Sequence, residues 1–126
     1  MRSATPVFLV AALAHGCTNG SGEARLPPEI DDILERRCRM CHSNPMRMFA
    51  PMPLVTWEDA HALRSEKTGE LVFEAIGRRI HDAKFPMPPL PNPSLSDEDK
   101  AAWPKLSREE TDTLDAWIAD NAPPAE

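Results

Sequence analysis

The residues with the clearest chemical potential are Cys38, Cys41 and His42, which lie together in the segment CRMCH at positions 38–42. This is the C-x-x-C-H pattern, whose spacing is typical of covalent haem c attachment. Two thiols about one helical turn apart can add to the two vinyl groups of a porphyrin, and the adjacent imidazole is then held against the iron. We therefore predict one covalent haem c, bound by Cys38, Cys41 and His42.

Two other kinds of site use a C-x-x-C pair, namely a redox-active dithiol and half of a zinc site. A zinc site needs four ligands, but the sequence has no further Cys pair, and His61 and His81 are isolated from each other. A thioredoxin-like dithiol accompanies a βαβ pattern, which the sequence does not show. Haem attachment is therefore the interpretation that the sequence favours.

A second iron ligand is predicted at Met87. A Met thioether is a soft donor suited to ferrous iron, and His/Met ligation raises the reduction potential above that of two imidazoles. Met87 lies between Pro86 and Pro88, which restrict the backbone and reduce the entropy lost on ligation. Metal ligation is therefore assigned to His42 and Met87. Three other residues remain alternatives to Met87, namely Met52, His61 and His81.

Two further segments accompany the CRMCH motif, namely Phe85-Pro86-Met87-Pro88-Pro89 and the closing pattern Leu114-x-x-Trp117-Ile118. With these segments the chain resembles the small single-haem c-type cytochromes of class I. The resemblance implies an all-α, cytochrome c-like fold, in which three to four helices and Pro-rich loops wrap around one covalent haem. It also implies that Cys38 and Cys41 form thioethers, that His42 and Met87 are the proximal and distal ligands, and that the first helix crosses the last. Residues 88–106 form an insertion relative to short family members.

The N-terminus has the pattern of an export signal, which we assign to residues 1–16. One cation precedes an apolar run at 7–14, which is too short to cross about 30 Å of hydrocarbon as a helix. Ala12-Leu13-Ala14 permits cleavage before His15, whereas residues 13–17 resemble a lipobox with Cys17 as the lipidated residue. The lipobox also explains an odd third Cys and the flexible tether at 17–27. We expect an exported, periplasmic protein anchored to the membrane through a lipidated Cys17.

The remaining chain, residues 28–122, is predicted to be one cytochrome c-like domain. Helix-start residues and apolar periodicity predict helices at 29–40, 57–64, 68–81 and 108–120, with one or two turns after Ser96. With 14 Pro and 41% hydrophobic residues, a core of ordinary size is not expected, so the porphyrin would fill the interior. The net charge of −6 and the absence of a Lys/Arg run argue against a nucleic-acid partner.

Three functions are compatible with such a haem. The first is a monomeric electron carrier that serves redox partner proteins of the cell envelope. The second is a haem enzyme or sensor with a labile distal site, peroxidase-like in chemistry, for which His81 with Arg78 would supply the distal pair. The third is a structural haem. The sequence favours the electron carrier, because two protein ligands leave no open iron position.

Residues around the haem are also predicted. The second ring nitrogen of His42 should donate to a carbonyl within residues 50–53. Haem propionates require cations or N–H donors, for which the candidates are Arg78, Arg79 and Trp57. A basic rim for an acidic partner is expected from four arginines, namely Arg36, Arg37, Arg39 and Arg47.

Overall fold

The computed structural model describes residues 22–126. The predicted signal peptide (1–16), Cys17 and tether residues 18–21 therefore lie outside the described residues. The described chain holds five helices and one two-stranded antiparallel sheet. In chain order these are α1 (Pro28–Arg37), α2 (Trp57–His61), β1 (Leu63–Ser65), β2 (Glu70–Leu71), α3 (Val72–Ile80), α4 (Asp97–Ala102) and α5 (Arg108–Ala119).

The prediction of an all-α, cytochrome c-like fold with three to four helices is wrong. A β-hairpin replaces the end of the helix predicted at 57–64 and the start of the one predicted at 68–81. Its strands have three and two residues, which is too short for a two-residue alternation to be visible in the sequence. Gly69, at a φ of 73°, turns the chain, and its N–H donates to the Ser65 carbonyl at 2.8 Å.

α1 ends immediately before the CRMCH motif, three residues earlier than predicted. Pro28 in its first turn and the carboxylates of Glu29 and Asp31 favour its start. After Arg37 the backbone forms a turn around the Cys38 carbonyl, which accepts hydrogen bonds from two later amides, those of Cys41 (3.2 Å) and His42 (3.0 Å). The two cysteines and the histidine therefore lie on a tight turn at the end of a helix.

The core is formed mainly by α1, α3 and α5. Ile30 and Leu34 of α1 and Leu114 of α5 are fully buried in one cluster, which also contains Trp117. The first helix thus packs against the last, as expected. The α5 start also follows the sequence, because Ser107 and Glu110 form a reciprocal capping box.

The packed unit begins before residue 28. Leu26 is buried in the core, and the Arg25 carbonyl accepts a hydrogen bond from the Ala125 amide at 2.7 Å. The last residues of the predicted tether therefore belong to the domain. Within residues 22–126, none of the helices combines the length and the apolar composition needed to cross a membrane.

Candidate functional site

The four predicted site residues line one partly open cavity of about 220 Å³. Cys38, Cys41 and His42 enter it from the turn after α1. Met87 enters from the Pro-rich loop after α3, although it follows His42 by 45 positions in the sequence. The fold therefore brings together the two segments on which the haem prediction depended.

The two cysteines are free thiols and are partly buried. Burial raises the pKa of the Cys38 thiol to about 12, so this group is protonated at neutral pH. The Cys41 Sγ lies 3.4 Å from the Met48 Sδ. Neither thiol is in a disulfide among residues 22–126, which is the state that the predicted addition to a vinyl group requires.

The ring of His42 is held in a defined orientation. Its Nδ1 lies 2.8 Å from the Met52 carbonyl oxygen, inside the segment expected to bind it. A carbonyl only accepts, so Nδ1 carries the proton in the neutral ring and Nε2 keeps the lone pair. The His42 carbonyl in turn accepts from the Leu54 amide at 2.8 Å. Nε2 is therefore the nitrogen that can bind a metal.

Arg79 holds the backbone of the Met87 loop. The Met87 N–H donates to the Arg79 carbonyl at 3.0 Å, and the Arg79 Nε donates to the Phe85 carbonyl at 3.0 Å. One residue of α3 thus fixes two positions of a loop that is already stiffened by Pro86 and Pro88.

The cavity wall is largely apolar. α3 supplies much of it through Val72, Ala75, Ile76 and Ile80. Three apolar residues at its margin are exposed, namely Met40, Met48 and Phe49. We call these three residues the apolar rim.

Four arginines also line the cavity, and three of them already have partners. Arg37 is paired with Glu110, Arg78 donates twice to Glu70 at 2.9 Å, and Arg79 donates to the Phe85 carbonyl. The guanidinium of Arg64 has no hydrogen-bonded partner among residues 22–126. Sequence reasoning missed Arg64, because its place at the cavity depends on the hairpin that the sequence did not reveal.

Three predicted residues lie outside the cavity lining. Trp57 was one of the candidate donors for the propionates, but its indole N–H donates to the Ala122 carbonyl at 3.0 Å. His61 stacks on Trp57. His81 lies 2.8 Å from both carboxylate oxygens of Asp115, away from the pair it was expected to form with Arg78.

The predicted basic rim is largely neutralised. Arg36 and Arg37 bind Glu110, and Arg39 binds two carboxylates of α1 at 2.6 and 2.9 Å. Arg47 is exposed. The arginines near the motif thus mainly join elements of the fold, and carboxylates offset three of the four charges that were expected to make the rim locally basic.

Comparison with known proteins gives no match to this chain, either among protein-family models, curated proteins or solved structures. Within residues 22–126, no three side chains of His, Cys, Asp or Glu converge as metal ligands. The chemistry of the site is therefore inferred from its own residues.

Proposed function

We propose that the chain is an electron carrier of the cell envelope that holds one covalent haem c. In this proposal Cys38 and Cys41 attach the porphyrin, and His42 and Met87 bind the iron. The observation that carries it is the convergence of these four residues, from two distant segments, on one cavity. When bound, the haem supplies a ferric/ferrous couple for one-electron transfer.

The donor set and the apolar lining of the cavity suit such a group. Two free thiols, an imidazole with a free Nε2 lone pair and a thioether are the side chains that His/Met-ligated haem c requires. The apolar wall from α3 matches the faces of a porphyrin, and Arg64 offers donors for a carboxylate at the margin.

The protein's part in electron transfer is to hold both ligands still. The Met52 carbonyl orients the His42 ring, and Arg79 fixes the backbone at Phe85 and at Met87. Two ligands held in this way would keep water and substrate away from a bound iron and would reduce the rearrangement between its oxidation states.

A labile, peroxidase-like site receives less support. Such chemistry calls for polar distal groups near an open position. His81 is engaged with Asp115 and Arg78 with Glu70, so the proposed distal pair is not assembled in the described cavity.

Partner docking is proposed at the apolar rim. Phe49 is fully exposed there, beside Met40 and Met48. Exposed apolar side chains around a redox centre suit brief docking of a redox partner protein of the envelope. The proposed location is the periplasmic side of a membrane, with Cys17 as the lipid anchor.

The test compares Met87→Ala with Met46→Ala in the exported protein. Met46 is exposed and lies outside the cavity lining, so it controls for the loss of a thioether. We expect wild type and Met46→Ala to show Met–iron charge-transfer absorption in the near infrared and to resist cyanide. Met87→Ala should lose the band, bind cyanide readily and have a lower reduction potential. Wild type that binds cyanide as readily as Met87→Ala would contradict the proposal and favour a labile site.

A further inference from the structure

We propose that residues 88–106, here called the strap, hold Met87 in place, with Trp103 as the positioning residue. The inference rests on the proposed function, because it concerns the ligand assigned to Met87. The strap is the stretch that the sequence analysis left as an insertion without a role.

The strap closes back on the Met87 loop through one hydrogen bond. The Trp103 indole N–H donates to the Pro89 carbonyl at 2.7 Å, across 14 positions of the chain. Trp103 and Pro104 line the same cavity as Met87 and Pro89. The two ends of the strap therefore meet beside the proposed iron ligand.

The middle of the strap does not contribute to the core. α4 has no buried residue, and it is maintained by its N-cap, where the Asp99 amide donates to the Ser96 hydroxyl at 3.1 Å. A six-residue helix spans about 9 Å. α4 thus acts as a spacer that carries Trp103 back to the cavity.

Beyond Trp103 the strap is anchored in the fold. Leu106 packs against the core, and the next residue, Ser107, caps α5. The hydrogen bond from Trp103 therefore ties the Met87 loop to a segment that is itself anchored in the core, which restricts the motion of the loop.

Three hydrogen bonds hold the backbone of the Met87 loop, two from α3 and one from the strap. The Phe85 carbonyl and the Met87 amide are both held by Arg79 of α3. The Pro89 carbonyl is held by Trp103. The backbone is thus fixed before, at and after Met87, and only the last contact depends on the strap. Without it, the C-terminal side of the loop loses a hydrogen bond that restrains Met87.

The experiment uses the haem-loaded, exported protein with Trp103→Phe, which keeps an aromatic ring and removes the indole N–H. Trp57→Phe is the matched control, because its indole N–H also donates to a backbone carbonyl but lies outside the cavity lining. Three quantities are measured: the rate of cyanide binding, the exchange rate of the Met87 amide hydrogen and the melting temperature.

We expect Trp103→Phe to speed both cyanide binding and Met87 amide exchange by about fivefold, the ratio equivalent to a hydrogen bond of about 1 kcal/mol. Trp57→Phe should lower the melting temperature but leave both rates within a factor of about two. If Trp103→Phe changes only the melting temperature, as the control does, the strap proposal is overturned while the proposed function stands. If the wild-type chain carries no haem, both proposals fail.

Discussion

Glu110 joins the two helices on which the site depends. Its carboxylate accepts hydrogen bonds from Arg36 and Arg37 at the end of α1, directly before Cys38, and from the Ser107 amide at the start of α5. The hydrogen bonds from Arg37, followed by those from Ser107, lower its pKa to about 2 against the opposing effect of burial. This carboxylate is therefore a stability determinant that lies next to the CRMCH motif.

Acid should weaken the fold through this residue. The pKa of Glu110 is lower in the folded chain than its usual 4.5, so the stabilisation is complete above pH 4.5 and is lost as the pH falls towards 2. Glu110→Gln should lower the free energy of unfolding at pH 7 by about 2 to 3 kcal/mol and flatten its dependence on pH in that window. Denaturant unfolding at a series of pH values measures both effects.

Glu109→Gln is the matched control, because Glu109 is the exposed neighbour on α5. It should change the free energy of unfolding at pH 7 by less than about 0.5 kcal/mol. Equal losses in the two variants would show that the buried carboxylate has no special role.

Some residues of the candidate site could be predicted from the sequence and others could not. Cys38, Cys41 and His42 were predicted because covalent attachment demands a fixed local spacing, and Met87 because prolines flank it. Trp103 was missed, since an indole that binds a carbonyl 14 positions away leaves no local pattern.

At the scale of elements, the β-hairpin is the feature that makes the observed architecture differ from the predicted all-α fold. It places Arg64 at the cavity and Glu70 beside Arg78. Its turn depends on Gly69, whose φ of 73° lies in the left-handed region, where a side chain costs about 1 kcal/mol or more.

Gly69→Ala should therefore lower the free energy of unfolding by about 1 kcal/mol. An added Cβ would meet no atom within 4 Å, so the effect is confined to the backbone. Gly22→Ala controls for the change in composition, because Gly22 has equally open space and no positive φ. Chemical denaturation of both variants measures this free energy. If Gly69→Ala left the free energy of unfolding unchanged, the turn would tolerate a side chain and the prediction would be wrong.

The helices were more predictable than the hairpin for a physical reason. α5 was predicted at 108–120 and is observed at Arg108–Ala119, because a capping box marks its start and Leu114 and Trp117 define its buried face. β1 and β2 have too few residues for a periodic signal, and their pairing depends on tertiary contacts. Elements with local signals were thus identified, whereas the element formed by pairing was not.

At the scale of the whole molecule, the packing leaves a partly open apolar cavity beside the core. The three largest fully buried side chains are Ile30, Leu34 and Leu114, on α1 and α5, while the α3 wall faces the cavity. A bound porphyrin would cover that wall and would stabilise the folded chain by binding to it.

The membrane anchor is a separate prediction about the whole chain. Cys17→Ser should move the exported protein from the membrane fraction to the soluble periplasmic fraction, because a lipid chain can no longer be attached. Thr18→Ser is the control and should remain with the membranes. The same distribution for Cys17→Ser and wild type would contradict lipidation.

The central claim is tested most directly by the mass of the intact chain exported from cells that attach haem c. The proposal predicts that wild type is heavier by one haem than the equally processed Cys38→Ala/Cys41→Ala double variant, after allowance for the two substitutions; a lipid on Cys17 adds the same mass to both. A folded wild-type chain that lacks the mass of one haem and carries reactive thiols at both Cys38 and Cys41 would contradict it.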